Sequence, residues 1–180
     1  MQIMLTAFTP TWVRWVMSMV SSTFFSILVN RIPSHPFYPS RGIRQGYPLS
    51  PFLFVLMTEG LGCLIKNALH TQQIRGISIH KSLAITHQQF VDDNMLFGHS
   101  SVQEDFKFKS LLDEYSKASV ASINTAKSQI FFFHTPTSTQ SSISRILGFS
   151  KASLPSQYLG APLTDSAIKY VSWHLLLEKL

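Results

Sequence analysis

Residues Phe90 to Phe97 read FVDDNMLF. Apolar residues flank Asp92, Asp93 and Asn94, three residues whose short polar side chains tolerate tight-turn backbone angles. The pattern predicts a β-hairpin with both carboxylates at or beside its tip, and with Phe90 and Leu96 or Phe97 turned inward. Like charges this close repel, and a structure that keeps both usually compensates them with a cation. Two readings stay open on these residues alone. One is a polar turn with solvated acids. The other is a Mg²⁺ site for phosphoryl or nucleotidyl transfer, since carboxylate oxygens suit Mg²⁺ and two ions can clamp the attacking and leaving oxygens.

Outward from this hairpin, the upstream signals are mainly helical. Ser50 before Pro51 reads as a hydroxyl cap with proline at the first helical position. Leu53, Leu56, Met57, Gly60, Leu61 and Leu64 follow at helical spacing, and Leu53, Leu56, Met57 and Leu64 are expected to be buried. The most apolar run, Phe52 to Ile65, contains Glu59, Gly60 and Gly62 and falls short of a membrane span, so a buried helix is expected. Earlier, Phe24 to Asn30 (FFSILVN) reads as a strand, and the proline-rich Arg31 to Pro39 as a turn and extended connection. Pro10-Thr11 opens a helix with Trp12, Trp15, Val16, Met19 and Val20 on one face.

Downstream, Ser101 and Glu104 match a capping box before a helix striped by Phe108, Leu111, Leu112 and Tyr115. Ile77 to Ile79 and Thr86 to Phe97 are expected strands, the second broken by the acidic cluster. Gln129 to Phe133 reads as a strand, Ser138 to Ser142 as a polar loop, and Ile143 to Leu147 as a short helix stopped by Gly148. Lys169 to Leu180 reads as helical. Helices and strands mix without regular alternation, which predicts an α+β domain.

Composition narrows the function classes. The chain has 180 residues, 45% hydrophobic and 13% charged, enough for one domain with a core and unlike a disordered chain. Fifteen Lys and Arg against nine Asp and Glu give +6, which favours anionic partners, nucleic acid first and acidic membrane surface second. The single cysteine, Cys63, excludes an internal disulfide. The opening residues MQIMLTAFTP carry no early positive charge and no adequate apolar run, so no secretion signal and an intracellular location are expected.

Four ordered blocks carry a resemblance: SRGIRQGYPLSPFLFVL (Ser40 to Leu56), FVDDNMLF, SINTAKSQIFFF (Ser122 to Phe133) and LPSQYLGAPL (Leu154 to Leu163). In order and spacing they resemble successive blocks of the reverse transcriptases of non-LTR (LINE-type) retrotransposons, over nearly the whole chain. The resemblance implies an α+β polymerase palm, a small antiparallel sheet backed by helices, over residues 1–165, with the start of the thumb or connection over 166–180. It implies RNA-directed DNA synthesis on an RNA template and DNA primer with deoxynucleotides, no membrane, and a two-ion Mg²⁺ site. Asp92 and Asp93 match the metal-binding pair, and Lys127 the lysine near the triphosphate. Arg44, Gln45 and Gly46 match the nucleotide and template block, and Tyr158, Leu159 and Gly160 the primer grip.

Departures from the family pattern are specific. A further catalytic aspartate should precede the Trp12 helix, yet no Asp occurs before Asp92. The resemblance therefore implies a truncated fragment, without fingers or most of the thumb, and inactive alone. A nucleic-acid-binding remnant and a non-functional relic are the alternatives. Tyr47 stands where the family has Asp, and Arg31 and Val120 stand where it has Gly. If Val120 lies at a left-handed helix end, its β-branched side chain fits poorly there.

Overall fold

The computed structural model describes residues 8–40, 42–80, 83–154 and 156–164. The expected thumb start at 166–180, with its helical tail, lies outside the described residues. Among the described residues four helices occur: α1 (Pro10–Ser21), α2 (Ser50–His70), α3 (Val102–Ser119) and α4 (Thr137–Leu147). Strand pairs fill the gaps between them. β1 (Leu28–Val29) pairs with β2 (Ile32–Pro33), β3 (Ile77–His80) with β4 (Leu83–Ile85), β5 (His87–Phe90) with β6 (Asp93–Leu96), and β9 (Ser156–Tyr158) with β10 (Ala161–Leu163). These four pairs are antiparallel, whereas β7 (Gln129–Phe131) and β8 (Ser150–Ala152) run parallel across α4. The α+β expectation holds. The small antiparallel sheet structure takes the form of separate two-stranded ribbons, with one further pair parallel.

The core lies between α2 and α3. Leu61, Ile65 and Ala68 of α2, Ile74 beyond its end, and Phe108, Leu111 and Leu112 of α3 form one buried cluster. Leu64, Leu96, Tyr115, Ile123, Leu147 and Phe149 pack around it, so β6 and α4 are fastened to the same centre. In α2 the buried face differs from the expected one. Leu53 is buried, but Leu56, Met57 and Leu64 are not fully buried, and Leu61, Ile65 and Ala68 carry the contact. The helix also runs on to His70, which makes it long and apolar enough by composition to cross a membrane. The apolar run alone is shorter because Lys66, Asn67 and His70 dilute it.

Helix ends show where side-chain chemistry acts as expected and where it does not. Thr9 accepts the Trp12 N–H at 3.4 Å and caps α1. Ser50 does not cap α2: its hydroxyl donates to the Arg44 carbonyl at 2.6 Å, and Leu49 occupies the cap position. At α3, Ser101 Oγ accepts the Glu104 N–H at 3.2 Å, while Glu104 Oε2 reaches past the cap to the His99 N–H at 2.9 Å. The polar loop expected at Ser138 to Ser142 is helical. Ser141 and Ser142 turn their hydroxyls onto the carbonyls of Thr137 and Ser138, so they satisfy themselves within the helix.

Two backbone positions constrain the two ends of α3. A side chain at Gly98 would place its Cβ 2.5 Å from the buried Phe108 ring, so only glycine lets the chain after the acidic hairpin cross α3 this closely. Val120 ends α3 at φ 61°, a left-handed position, with its side chain 67% exposed. Val120→Gly removes that strain and loses little packing, but adds entropy to the unfolded chain. It should raise unfolding free energy by about 1 kcal/mol, read from urea denaturation midpoints.

Candidate active site

The acidic hairpin is built by β5 and β6, with Phe90 opposite Asp93 and His87 opposite Leu96. The turn is therefore Val91-Asp92, one residue earlier than the Asp-Asp-Asn composition suggests, and Asp93 and Asn94 already belong to β6. Val91 adopts φ 52°, a region that β-branched residues rarely enter. Both carboxylates are exposed. Leu96 turns inward onto the core, as expected. Phe90 does not: it is exposed, because strand alternation puts it with Gln88 on the outer face, while His87 and Gln89 face α2.

That inner face anchors the hairpin. Gln89 Nε2 donates to the Thr58 carbonyl of α2 at 3.3 Å. Gly62 makes room for it: a Cβ there would lie 3.3 Å from His87 Nε2 and 3.5 Å from Gln89 Oε1. Burial, and then the nearby Lys66 ammonium, hold His87 below its ordinary pKa, so this ring stays neutral at physiological pH.

The other candidate residues fall into three places. Tyr158, Leu159 and Gly160 sit at the turn of the β9–β10 hairpin, with Leu159 at φ 52° and Gly160 at φ 82°. The Tyr158 hydroxyl donates to the Asp93 carbonyl at 3.4 Å, which joins this hairpin to the acidic one. Desolvation, and then the Asp93 charge, raise the Tyr158 pKa, so the phenol remains protonated and able to donate. Sequence order gives no sign of that contact, because it spans 65 positions.

Arg44, Gln45 and Gly46 form an exposed turn just before α2, held by the Tyr47 N–H on the Arg44 carbonyl at 3.3 Å. Gly46 takes φ 79° and leaves the backbone bare on its outer side, where a Cβ would meet nothing within 4 Å. Tyr47 lines a small cleft with Met19, Val20 and Leu53, which give its ring apolar neighbours. Lys127 closes a turn whose amide bonds to Asn124, and its side chain is exposed. Among the described residues no hydrogen bond or ion pair links Lys127 or the Arg44 turn to Asp92 or Asp93. Among the described residues, the Tyr158–Asp93 hydrogen bond is what joins the acidic block to the last one.

The reverse transcriptase (RNA-dependent DNA polymerase) family model matches residues 2–163. The chain belongs to the reverse transcriptase family. An uncharacterized mitochondrial protein of Arabidopsis thaliana is also similar, 41% identical over 71 residues, which is 39% of this chain and 58% of that protein. The chain thus spans little more than half the length of that relative.

Reverse transcriptases as a family use divalent metal ions, and the residues present can be tested against that need. Asp92 and Asp93 suit the one or two carboxylates through which Mg²⁺ is commonly held, its remaining positions going to water and phosphate oxygens. They do not make a closed two-ion centre. Among the described residues no group of three His, Cys, Asp or Glu side chains converges. Glu59, the only acid before Asp92, is committed to Lys66 at 3.1 Å.

A second acidic pair is hidden in the sequence, where the capping box accounts for Glu104 by itself. Glu104 and Asp105 are buried to 3% and 6% exposure, and Asp105 Oδ2 has no hydrogen-bond partner. Burial, and then the adjacent Glu104 charge, push Asp105 up to about 6. Its folded pKa exceeds its unfolded value of 3.8, so protonation favours the fold. Stability should therefore fall as pH rises from about 4 to about 6, by on the order of 3 kcal/mol. Asp105→Asn should flatten that slope and raise the melting temperature near neutrality, as checked by thermal denaturation across a pH series.

Proposed function

We propose that this chain derives from the RNA-directed DNA polymerase of a non-LTR, LINE-type retrotransposon. The reaction class is attack of a primer 3′-hydroxyl on the α-phosphate of a deoxynucleotide, releasing pyrophosphate. One observation carries the reading: the Asp92-Asp93 hairpin and the Tyr158 hairpin meet through the Tyr158 hydroxyl and the Asp93 carbonyl. An acidic tip beside a second hairpin is the arrangement a polymerase needs to hold a primer end near a metal ligand pair.

In this reading Asp92 and Asp93 supply oxygen ligands to Mg²⁺. Arg44, Gln45 and Gly46 contact template and incoming nucleotide, where the bare backbone at Gly46 permits close approach. Lys127 offers an exposed ammonium to the triphosphate, and Tyr158, Leu159 and Gly160 steady the primer. The partners are an RNA template, a DNA primer and deoxynucleotides.

These 180 residues by themselves are not expected to polymerise. In-line transfer needs carboxylates on both sides of the reacting phosphate, and misplacement costs orders of magnitude. Asp92 and Asp93 supply one side, and among the described residues no third acidic, histidine or cysteine side chain converges with them. Purified chain should give no primer extension on RNA or DNA with Mg²⁺ or Mn²⁺, with Asp92→Ala as the contamination control. Extension that disappears in Asp92→Ala would overturn the inactivity and demand another carboxylate.

The same chain should still bind nucleic acid weakly and without sequence preference, through phosphate contacts that release counterions. Filter binding should weaken by roughly tenfold or more between about 50 and about 200 mM salt. Affinity that stays level across that range would refute the electrostatic account.

A further inference from the structure

The hairpin from Phe24 to Tyr38 carries an aromatic surface that the candidate site does not use. Phe25 and Phe37 bridge its base, with ring centroids 5.9 Å apart on one face. Phe24 and Tyr38 lie on the opposite face, 6.3 Å apart, and are 58% and 71% exposed. The ribbon is well made in spite of Pro33. Ser26 Oγ donates to the Ser34 carbonyl at 2.6 Å, the Ser34 N–H to Ile27 O at 2.8 Å, and the Ile27 N–H to Ser34 Oγ at 3.0 Å. Two large aromatic rings are thus held near each other in solvent, tilted by 58°, by this ladder.

Charge identifies what would cover them. Residues 1–58 contain four arginines and neither Asp, Glu nor Lys. Arg31 stands at the hairpin tip and Arg44 follows Tyr38 by six residues, and neither is in an ion pair among the described residues. Arg31 sits at φ 69°, a conformation glycine adopts freely, so its side chain is presented at some cost to the backbone. From tip to aromatic pair the ribbon spans roughly 20 Å at about 3.3 Å per residue, the length of a few nucleotides. An apolar partner would leave the arginines without counter-charge, whereas a single strand offers both bases and phosphates.

We propose that this hairpin is a stacking platform for single-stranded nucleic acid, with bases against Phe24 and Tyr38 and phosphates on Arg31 and Arg44. This rests on the nucleic-acid reading of the chain and adds an aromatic surface upstream of the four sequence blocks. Stacking on aromatic rings tolerates any base, because every base has a π-face.

The test is fluorescence anisotropy of the full 180-residue chain with fluorescein-labelled oligo(dT), beside a labelled duplex. Phe24→Leu and Tyr38→Ala should each weaken oligo(dT) binding by roughly fivefold or more while changing duplex binding little. Tyr38→Phe, which keeps the ring, should retain affinity. Arg31→Gly separates folding from binding: the melting temperature should rise as oligo(dT) affinity falls. Wild-type affinity in Phe24→Leu, Tyr38→Ala and Arg31→Gly overturns the platform alone, with nucleic-acid binding left elsewhere. Equal losses for duplex and single strand also overturn it. So does a wild-type dimer that these variants dissolve without touching oligo(dT) affinity, which would assign the face to a second copy. No binding by the wild-type chain would refute the nucleic-acid reading and the platform together.

Discussion

The contact between α2 and α3 is the constraint on which the rest of the structure depends. Two-stranded ribbons are at best marginally stable alone in water, and among the described residues every strand belongs to one. Leu61, Ile65, Phe108, Leu111 and Leu112 supply the burial that the ribbons lack, each large side chain contributing about 1.5–3 kcal/mol. Leu96 fastens the acidic hairpin to that cluster from one side, and Leu147 and Phe149 fasten α4 from the other. The hairpin's position is set by two further details, the glycine under the Phe108 ring and the Gln89 bond to α2.

How far the sequence foretells this depends on the range of the interaction concerned. Local signals are readable. The turn-forming centre of FVDDNMLF marks the hairpin, Pro10 and Pro51 mark helix starts, and Ser101 with Glu104 marks the start of α3. Expectation and structure part where a side chain finds a different partner. Ser50 serves the Arg44 carbonyl and not the helix end, and Ser141 and Ser142 of α4 bond back to their own helix. Phe90 resembles core because it is aromatic, but the turn begins at Val91 and fixes the alternation that sends Phe90 outward.

For the candidate site, the sequence supplies the residues and the structure supplies their relations. Asp92 and Asp93 are evident from their flanks, and the four-block order points to the family. The Tyr158–Asp93 contact depends on how two distant hairpins dock, which no local pattern encodes. The buried Asp105 is equally hidden, since an acid in a helix's first turn ordinarily faces water and favours the N-terminus. Positive φ at Arg31, Val91, Val120 and Leu159 puts bulky residues into conformations that glycine or asparagine would adopt more easily. The strain is thus concentrated in turns and helix ends, where the core can hold it without being deformed.

The ribbon of β3 and β4 has a consequence for the behaviour of the protein in solution. Among the described residues its strands pair with no others, and Ile77, Ile79, Leu83 and Ile85 are all exposed along it. A short apolar ribbon with unpaired outer edges offers a template to any extended strand, including the same ribbon of another molecule. Edge-to-edge growth is therefore a hazard for concentrated samples. A lysine in place of the exposed Ile79 would oppose such growth by charge repulsion while leaving the buried cluster untouched.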